Sequence, residues 1–574
     1  MSNFLLLQYA FIVLVASLYL VGKLQHDYHM FQQNSYRPER YWRWLRGQHN
    51  RFIKGNDNLF VLAMGLMALA TTLHPLSLGQ WSGFIGLYLL GSLFTLLAYK
   101  GHGLLISVRP SKKPLVYTPR VKRMMATMGI LLTIDALVLW LLPLWVVPFL
   151  YGVGGLISFI IPMVTVWINS PMEGAINRWY YNDAKRILRE NPNRIVIGIT
   201  GSYGKTSTKN LIADVLSRRF NVLATPASYN TLLGVIRTIR EQMKPTHDVF
   251  IVEMGARQMG DIKEICDLVV PDYGLITSIG PQHLETMGSL DNIIKTKGEL
   301  FEGVKPGGKA FVNLSDGNIA KLKSRGDIDY IGFGVAGQTA KTVDKHVQDS
   351  KTYQVGPGQG QDRNTFDGKT ISAFMASHQS ISGKGTSFTL TTPAGSQAQL
   401  TTKLLGGHNV GNVLSAMAIA SSLGIADDKL QKLMVDVKPV AHRLSLRQGP
   451  KGQIILDDAF NSNPVGSKNA LDVLQAMEGG QKVVITPGMI ELGEEQDALN
   501  EAFGSHMAGR ADFVVLVGAK QTKPIQEGLA KAGFPDRQTL VVSSFIEGWN
   551  HINQMTGQGD VILIENDLPD AFNE

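Results

Sequence analysis

The sequence predicts an α-helical membrane domain followed by two α/β domains. Apolar stretches of membrane-spanning length crowd the first 170 of the 574 residues, and strand-like apolar runs alternate with helical patterns from residue 194 onwards. A second series of α/β units begins near Pro439. We therefore expect a transmembrane domain over 1–169, an amphipathic linker over 170–193, a central parallel-sheet domain over 194–437 and a smaller Rossmann-like C-terminal domain over 438–574.

The membrane prediction depends on five apolar stretches, each close to the roughly 20 residues that cross a bilayer. They lie near 4–22, 58–74, 81–99, 125–143 and 145–168. Long core helices are the alternative, and the scarcity of charges in these stretches argues against them. Asp135 interrupts the fourth stretch, either as a functional group or as a contact between helices.

Basic residues in the connecting segments predict the orientation of the chain. Segments 23–57 and 100–123 each hold seven Lys or Arg, whereas the short connections near 75–80 and 144 hold none. The positive-inside rule places both basic segments, and everything after residue 170, in the cytoplasm. We expect a multi-pass protein with cytoplasmic α/β domains and a linker that lies on the membrane surface.

The net charge of +8 comes from the membrane part. Residues 1–170 hold 14 Lys and Arg against four Asp and Glu, while the remaining residues hold 41 against 43. This distribution predicts contact with anionic membrane lipid and gives no support for a nucleic-acid partner. The single cysteine, Cys266, excludes an intrachain disulfide and a cysteine-rich metal site.

Strands and helices alternate in both α/β domains. The predicted strands are Arg194–Thr200, Val249–Met254, Tyr273–Ile279, Gly308–Leu314, Gln453–Leu456, Lys482–Thr486, Phe513–Val517 and Val561–Ile564. Helices are predicted near 464–477, 494–509 and 523–532. The segment 335–400, rich in Gly, Ser, Thr and Gln, is predicted to be an antiparallel β appendage with loops. Ligands of parallel sheets bind at the carboxyl ends of the strands, where we expect the functional site.

A glycine-rich loop follows the first strand and leads into a helix. Its spacing is Gly-x-x-Gly-x-x-Gly-Lys-Thr over 198–206, one residue off the general P-loop pattern. Backbone N–H groups of such a loop bind phosphate, the lysine reaches the terminal phosphates and the threonine hydroxyl binds Mg²⁺. A tight strand-to-helix turn is the alternative, but it needs neither the lysine nor the hydroxyl. The central domain is therefore predicted to be a P-loop domain that binds a nucleoside triphosphate through Gly201, Ser202, Gly204, Lys205, Thr206 and Ser207.

Further motifs follow in order between residue 194 and about residue 560. They are Asn230-Thr-Leu-Leu-Gly234, Glu253-Met-Gly-Ala, Gly280-Pro-Gln-His-Leu-Glu, Lys297-Gly-Glu299, Gly407-His-Asn-Val-Gly-Asn412, His442-Arg443, Asp457-Asp-Ala-Phe-Asn-Ser-Asn-Pro464 and Gly488-Met-Ile-Glu-Leu-Gly-Glu. Together with the loop they resemble the Mur ligase family, and within it the ligases that add D-alanyl-D-alanine to a UDP-muramoyl tripeptide. The resemblance implies an enzyme that activates a carboxylate with ATP as an acyl phosphate, which an amine attacks to form an amide.

The resemblance also implies two Mg²⁺ sites. Thr206 and Glu253 would bind the first metal, because hard oxygen ligands suit Mg²⁺. His283 would bind the second, although a lone histidine is also compatible with a structural role. Lys297 would be carbamoylated by CO₂, so that an anionic side chain positions this metal; a solvated helix lysine is the alternative. The implied catalytic residues are Lys205, Glu253, His283 and Lys297.

Other implied contacts surround the nucleotide. The resemblance assigns adenine contacts to His408, Asn409 and Asn412. A helix N-cap is the alternative role of Asn409. It assigns phosphate and ribose contacts to Arg443 and Asp458, supported by Asn461. Catalysis would then require closure of the C-terminal domain on the central one. Asn461 and Asn463, before Pro464, are equally compatible with a turn.

Three features depart from the family pattern. Membrane stretches stand where the muramoyl ligases have a soluble domain for the UDP-sugar, so we expect a lipid-linked or membrane-delivered carboxylate acceptor. Near the C-terminus, Ile564-Glu-Asn-Asp replaces a Lys-Gly-Ser-type run. This acidic segment would favour a cationic amine. Phe460 stands where the family usually has tyrosine.

These observations predict a membrane-anchored ligase on the inner face of a bacterial cell membrane, which joins an amino acid or peptide amine to a cell-envelope precursor, as in peptidoglycan biosynthesis. A polymer ligase similar to poly-γ-glutamate synthases is an alternative with the same chemistry. A membrane ATPase or transport regulator is a different class of protein. The sequence argues against it, because it contains no second glycine-rich transporter signature. The filled phosphate and metal positions argue against a degenerate ligase that only binds a partner.

Overall fold

The computed structural model describes residues 3–34, 36–47, 55–73, 89–95, 97, 115–143, 145–227, 229–282, 284–336, 364–460, 462–490 and 492–566. The chain divides after Arg178 into two compact units. The first unit is helical, and the second contains both α/β domains.

The helical unit packs around aromatic side chains. Tyr19 stacks on Phe60 with ring centroids 3.7 Å apart. Gly155 leaves room for this pair, because a Cβ atom there would lie only 2.7 Å from the Phe60 ring. The helices are α1 (Asn3–Gln33), α2 (Pro38–Gly47), α3 (Gly55–Leu73), α4 (Pro119–Leu139), α5 (Val146–Ile157) and α6 (Ile161–Arg189), within which the unit boundary falls.

Two helical segments among the described residues are long and apolar enough to cross a membrane, Tyr9–Gln33 and Val146–Arg189. Length and composition alone identify them, and core helices and signal sequences pass the same test. Four of the five predicted stretches coincide with helices. The stretch 81–99 lies largely outside the described residues, of which 89–95 are helical. The helical character is confirmed, and the membrane crossing stays a prediction.

Among the described residues, nine strands form the sheet at the centre of the middle domain, in the order β11-β10-β9-β6-β5-β4-β1-β3-β2. Strand β1 pairs in parallel with β3 and β4, so that their carboxyl ends meet at one edge. The strands are β1 (Ile195–Thr200), β2 (Val222–Ala224), β3 (Val249–Glu253), β4 (Tyr273–Ile276), β5 (Lys309–Asn313), β6 (Asp329–Val335), β9 (Ser372–Ser382), β10 (Gly385–Thr391) and β11 (Gln397–Thr402), with β7 (Thr365–Phe366) and β8 (Lys369–Thr370) as a separate hairpin.

Helices cover both faces of this sheet, the arrangement that alternating strands and helices produce. Apolar side chains of α7 and α12 pack on one face, and those of α8, α9 and α11 pack on the other, together with Ala184 of α6. The helices are α7 (Lys205–Leu216), α8 (Leu232–Gln242), α9 (Asp261–Val269), α10 (Leu284–Met287), α11 (Leu290–Gly303), α12 (Gly407–Ser422) and α13 (Asp427–Val435).

The C-terminal domain contains a six-stranded sheet in the order β12-β13-β17-β14-β15-β16. All pairings are parallel except that of the edge strand β12. Asp458 pairs in register with Glu565 at the carboxyl ends of β13 and β17. The elements are β12 (Ser445–Gln448), β13 (Ile454–Asp458), α14 (Pro464–Ala476), β14 (Lys482–Thr486), α15 (Gln496–Met507), β15 (Phe513–Val517), α16 (Lys523–Lys531), β16 (Thr539–Val542), α17 (Phe545–Met555) and β17 (Val561–Glu565).

Two predictions about the sheets need correction. The central sheet is mixed and not purely parallel, because β10 pairs antiparallel with β9 and β11. The segment predicted to be an antiparallel β appendage does contain antiparallel strands, but they extend the main sheet, since β9 pairs in parallel with β6. Residues 337–363 of that segment lie outside the described residues. Alternating polar and apolar side chains fit a sheet edge as well as a free hairpin, so the pattern could not distinguish the two.

Candidate active site

The phosphate loop is shaped by two glycines between β1 and α7. Gly201 has a φ of 152° and Gly204 a φ of 80°. A Cβ atom on Gly201 would lie 2.0 Å from the Thr277 hydroxyl oxygen, so no other residue fits there. Helix α7 begins at Lys205 without a side-chain cap. Its first N–H groups are therefore available to an anion.

The Lys205 ammonium folds back over this loop. Its Nζ donates to the carbonyl oxygens of Gly201 at 2.7 Å and Ser202 at 3.2 Å. Burial lowers the pKa of Lys205 to about 8; Glu253 opposes this effect and Arg443 adds to it. A phosphate bound in the loop would raise this pKa again and so favour the charged form of Lys205.

Glu253 lies at the end of β3 as the acceptor of three donors. The Thr206 hydroxyl lies 3.0 Å from Oε2, and the Asn230 amide nitrogen lies 3.1 Å from Oε1. The Lys209 ammonium is 3.2 Å from Oε2, and both members of this ion pair are 1% exposed. The neighbouring oxygens of Thr206 and Glu253 form a donor set that fits Mg²⁺. Sequence reasoning gave Lys209 and Asn230 no role, although Asn230 belongs to a recognised motif.

Lys297 lies in α11 and is only 3% exposed. Among the described residues its side chain has no hydrogen bond or ion pair within bonding distance. Burial lowers the pKa of Lys297 well below its usual value, and the charge of Lys205 lowers it further. The predicted alternative of a solvated lysine is therefore wrong. The neutral amine is the form that reacts with CO₂, and burial favours that form of Lys297.

Glu299, two residues further on, has a structural role. Its carboxylate accepts from the backbone N–H groups of Gly260 at 2.7 Å and Lys263 at 2.9 Å. These groups belong to the N-terminal turn of α9, where a negative charge is stabilising. The motif Lys297-Gly-Glu299 therefore contains a buried lysine and, two residues later, the glutamate that caps helix α9.

A cavity of about 980 Å³ opens between the middle and C-terminal domains. The phosphate loop lines it through Tyr203, Gly204 and Ser207. The predicted residues that line it from other elements are His408, Asn412, Arg443 and Asp458. Both domains thus contribute predicted nucleotide contacts to one cavity.

Residues that follow β5 line the same cavity but were missed from the sequence. Asn313, Ser315, Asp316 and Asn318 lie there. The Asn318 Oδ1 atom is buried and accepts no hydrogen bond from the described residues, while its Nδ2 donates to Ile279 O at 2.9 Å. A polar run directly after a predicted strand was the available signal.

Helix α12 presents His408 and Asn412 to the cavity, and its two asparagines are joined by a hydrogen bond. The surrounding protein lowers the pKa of His408 to about 4, so the imidazole is neutral. Asn409 Nδ2 donates to Leu405 O, and Asn412 Nδ2 donates to Asn409 Oδ1, both at 2.8 Å. Asn412 Oδ1 accepts from the Thr208 hydroxyl of α7 at 2.9 Å. Gly406 caps α12, so the predicted N-cap role of Asn409 is wrong.

The C-terminal wall presents Arg443 from an unusual backbone segment. Both neighbours are left-handed, His442 with a φ of 59° and Leu444 with a φ of 50°. Such conformations are costly for residues other than glycine and are common at functional sites. The Arg443 guanidinium lies 4.4 Å from the centre of the Phe460 ring. Burial raises the pKa of Asp458 to about 6, against the opposing charge of Arg443.

Comparisons with known proteins agree with this geometry. The model of the Mur ligase middle domain matches residues 199–420, and that of the Mur ligase glutamate ligase domain matches residues 442–565. The UDP-N-acetylmuramoyl-tripeptide--D-alanyl-D-alanine ligase of Escherichia coli (strain K12) is 32% identical over 357 residues, which are 62% of this chain and 71% of that protein. This chain belongs to the Mur ligase family.

Solved structures share the fold. MurF from Acinetobacter baumannii has 25% sequence identity and a TM-score of 0.55, over 68% of this chain and 77% of that chain. MurF ligase from Thermotoga maritima, solved in complex with ADP, has 21% identity and a TM-score of 0.55, over 68% of this chain and 80% of that chain. The chain is thus a Mur ligase-type, ATP-dependent acid–amino-acid ligase.

Three residues of the family motifs fall outside the part of the chain that the structure describes. His283, Asn461 and Glu491 lie outside the described residues. The part of the chain that the structure describes contains no group of three or more His, Cys, Asp and Glu side chains that could hold a metal. Asn463 caps α14 by accepting from Gly466 N at 2.9 Å. The predicted metal and nucleotide roles therefore remain predictions.

Proposed function

We propose that this Mur ligase is a membrane-anchored enzyme that builds an amide bond in a precursor or polymer of the bacterial cell envelope. The observation that carries the proposal is a group of buried cationic side chains at the phosphate loop, Lys205, Lys209 and Arg443. Burial lowers the pKa of each, the charge of Arg443 lowers the pKa values of both lysines further, and Glu253 opposes the effect. A polyanion such as the triphosphate of ATP would stabilise their charged forms.

The reaction follows from these groups in two steps. A carboxylate oxygen of the acceptor attacks the γ-phosphorus of ATP, and ADP leaves as the P–O bond breaks. The amine nitrogen of the second substrate then attacks the acyl carbon, phosphate leaves, and the nitrogen loses a proton. Lys205 and Arg443 would stabilise charge on the transferred phosphoryl group.

Magnesium fits the residues beside the loop. Thr206 and Glu253 would hold one ion, and His283 with carbamoylated Lys297 would hold a second. Bound Mg²⁺ would neutralise phosphate charge during transfer. Carbamoylation adds CO₂ to the neutral Nζ of Lys297 and releases one proton. The product is an anion, which removes the conflict between a buried cation and a metal.

The helical unit supports a membrane-linked acceptor. Apolar side chains there are exposed to an extent uncommon in water-soluble proteins, with Leu141 at 82%, Trp167 at 78% and Leu137 at 66%. We propose that the helices anchor the protein in the bacterial inner membrane, with the ligase domains in the cytoplasm. The carboxylate substrate would then be lipid-linked or part of an envelope polymer.

The amine substrate is proposed to be cationic. Glu565 lies at the end of β17 in register with Asp458, and it is buried. Its Oε1 accepts from the Ser462 hydroxyl at 2.6 Å, and its Oε2 has no partner among the described residues. An acidic C-terminal wall favours an extra ammonium group over a second carboxylate. The relatives named above add D-alanyl-D-alanine, so the amine would differ from theirs.

Phosphate release by the full-length protein in lipid nanodiscs tests the proposal. Lipid-linked muramoyl peptides, UDP-linked muramoyl peptides and poly-γ-glutamate are offered in turn, each with lysine-like diamines or with D-alanyl-D-alanine. We expect release only when a carboxylate and an amine are both present, and most with a lipid-linked acid and a diamine. Phosphate release that occurs with poly-γ-glutamate and with neither muramoyl peptide would favour a poly-γ-glutamate synthase-like enzyme. Release that needs no acceptor would indicate a membrane ATPase or transport regulator.

A further inference from the structure

The phosphate loop is fastened to the segment Thr277–Pro281, which follows β4. Ser202 N donates to Ser278 O at 2.7 Å, and Tyr203 N donates to Ser278 Oγ at 3.0 Å. The Ser202 hydroxyl donates to Gly280 O at 2.9 Å, and Gly280 N approaches the same hydroxyl at 3.0 Å. These contacts make the loop and the segment one hydrogen-bonded layer.

The Tyr203 side chain adds a contact of a different kind. Its hydroxyl donates to Pro281 O at 2.9 Å, and the hydroxyl-bearing end of its ring lies against Gly280. A Cβ atom at position 280 would lie 2.7 Å from that ring, so the glycine is what allows the approach. Burial raises the pKa of Tyr203, which keeps its hydroxyl a donor at physiological pH. The ring also lines the interdomain cavity.

In the sequence, the fastened segment runs directly into a predicted metal ligand. Pro281 stands two residues before His283 in the sequence, and His283 is the residue proposed above for the second metal. We propose that Tyr203 is a positioning residue that couples nucleotide binding at the phosphate loop to the backbone of residues 278–282. Its catalytic consequence rests on the proposed function, whereas the coupling itself does not.

Kinetics of Tyr203→Phe test the catalytic consequence. This variant keeps the ring on Gly280 and removes only the hydrogen bond to Pro281. Loss of one neutral hydrogen bond corresponds to about a 3- to 10-fold effect. We expect kcat to fall by about that factor and the Mg²⁺ concentration for half-maximal rate to rise, with the KM for ATP within about twofold of wild type.

Tyr273→Phe is the matched control. The Tyr273 hydroxyl also donates to a backbone carbonyl, Ser422 O at 3.4 Å, but it lies outside the cavity. We expect this variant to keep the wild-type kcat. An equal loss of kcat in both variants, or a lowered melting temperature of Tyr203→Phe at unchanged kcat, would mean that the hydroxyl is merely structural and would overturn the proposal.

Hydrogen exchange tests the coupling without any turnover. ADP with Mg²⁺ is added to the full-length protein, and amide exchange is followed in peptides that cover 278–282. We expect nucleotide to slow exchange there at least threefold in wild type and in Tyr273→Phe, and by a smaller factor in Tyr203→Phe, which keeps the other hydrogen bonds of the layer. Equal protection in Tyr203→Phe overturns the inference. Loss of protection in a protein that shows no ligase activity would retain the inference and refute the proposed function.

Discussion

The middle and C-terminal domains contribute opposite sets of buried ionisable side chains, which we name the cationic wall and the acidic wall. The middle domain brings the amines of Lys205, Lys209 and Lys297 towards the phosphate loop, where Glu253 pairs with Lys209. The C-terminal domain brings two carboxylates to the ends of β13 and β17, with Arg443 beside them. Burial drives both sets towards neutrality, because it lowers the pKa values of the lysines and raises those of Asp458 and Glu565.

The two walls differ in the ligand that each would bind. Buried amines that have lost their hydration are stabilised in the charged form by a polyanion. Buried carboxylates are stabilised in the charged form by an ammonium group. A ligase needs both, because ATP and an amine must meet at one carboxylate. If this comparison is right, substitutions in the cationic wall should affect phosphoryl transfer, and those in the acidic wall should affect amine use.

The largest effect is expected from Lys297→Ala in the cationic wall. Removal of the amine prevents carbamoylation, and loss of a preorganised charge in a catalytic site lowers kcat by about 100- to 1000-fold. Lys295→Ala is the control, since this residue is exposed on the same helix. Initial rates of phosphate release measure the effect. Unchanged turnover in Lys297→Ala would remove Lys297 from the mechanism.

A large loss of stability is expected from Lys209→Met. The variant leaves the buried Glu253 carboxylate without its counter-ion, which costs about 3 kcal/mol in the free energy of unfolding. Mg²⁺ with ADP should restore part of this loss, because a metal at Glu253 would replace the missing charge. Urea unfolding with and without ligand measures both.

Lys263→Met is the matched control for Lys209→Met. Lys263 forms an exposed pair with Asp267 at 2.8 Å on helix α9. Such a surface pair contributes less than about 1 kcal/mol. Similar small losses in both variants would show that the buried pair does not hold Glu253 in place.

The cationic wall was largely predictable from the sequence, because local spacing fixes it. Gly201, Gly204 and Lys205 stand within one loop, and the strand before them was predicted to within one residue. Lys209 and Asn230 were missed for a physical reason. Their importance comes from the buried carboxylate of Glu253, which only the folded sheet brings near them.

The acidic wall was harder to predict. The register of β13 against β17 brings Asp458 beside Glu565, which is more than 100 residues away in the chain. The left-handed backbone around Arg443 has no glycine to signal it. Strands β9 to β11 were predicted as an appendage because periodicity gives the exposure of a strand but not its neighbour.

An intermediate effect is expected from Asp458→Asn in the acidic wall. The pKa of Asp458 is about 6 in the folded protein and about 4 in an unfolded chain. The folded state therefore binds more protons between these values, and this group lowers stability as pH rises from 4 to 7. The variant should gain about 1 to 2 kcal/mol relative to wild type between pH 4 and 7, while its ligase rate falls.

Urea unfolding at several pH values measures the gain of Asp458→Asn. The exposed Asp536 provides the control, since Asp536→Asn should follow wild type at every pH. A difference that does not change with pH would mean that Asp458 does not titrate in this range.

The smallest effect is expected at Phe460, which supports Arg443 at the meeting point of the two walls. The guanidinium lies over a ring that is 50% exposed, and such a contact is worth about 0.5 to 1 kcal/mol. Phe460→Tyr keeps the ring and should change kcat/KM less than about twofold, whereas Phe460→Ala should lower it about two- to fivefold. Because Arg443 belongs with phosphate, the loss in Phe460→Ala should appear in the KM for ATP and leave the KM for the amine unchanged. If Phe460→Ala instead changed only the KM for the amine, Phe460 and Arg443 would act on the amine and would both belong to the acidic wall.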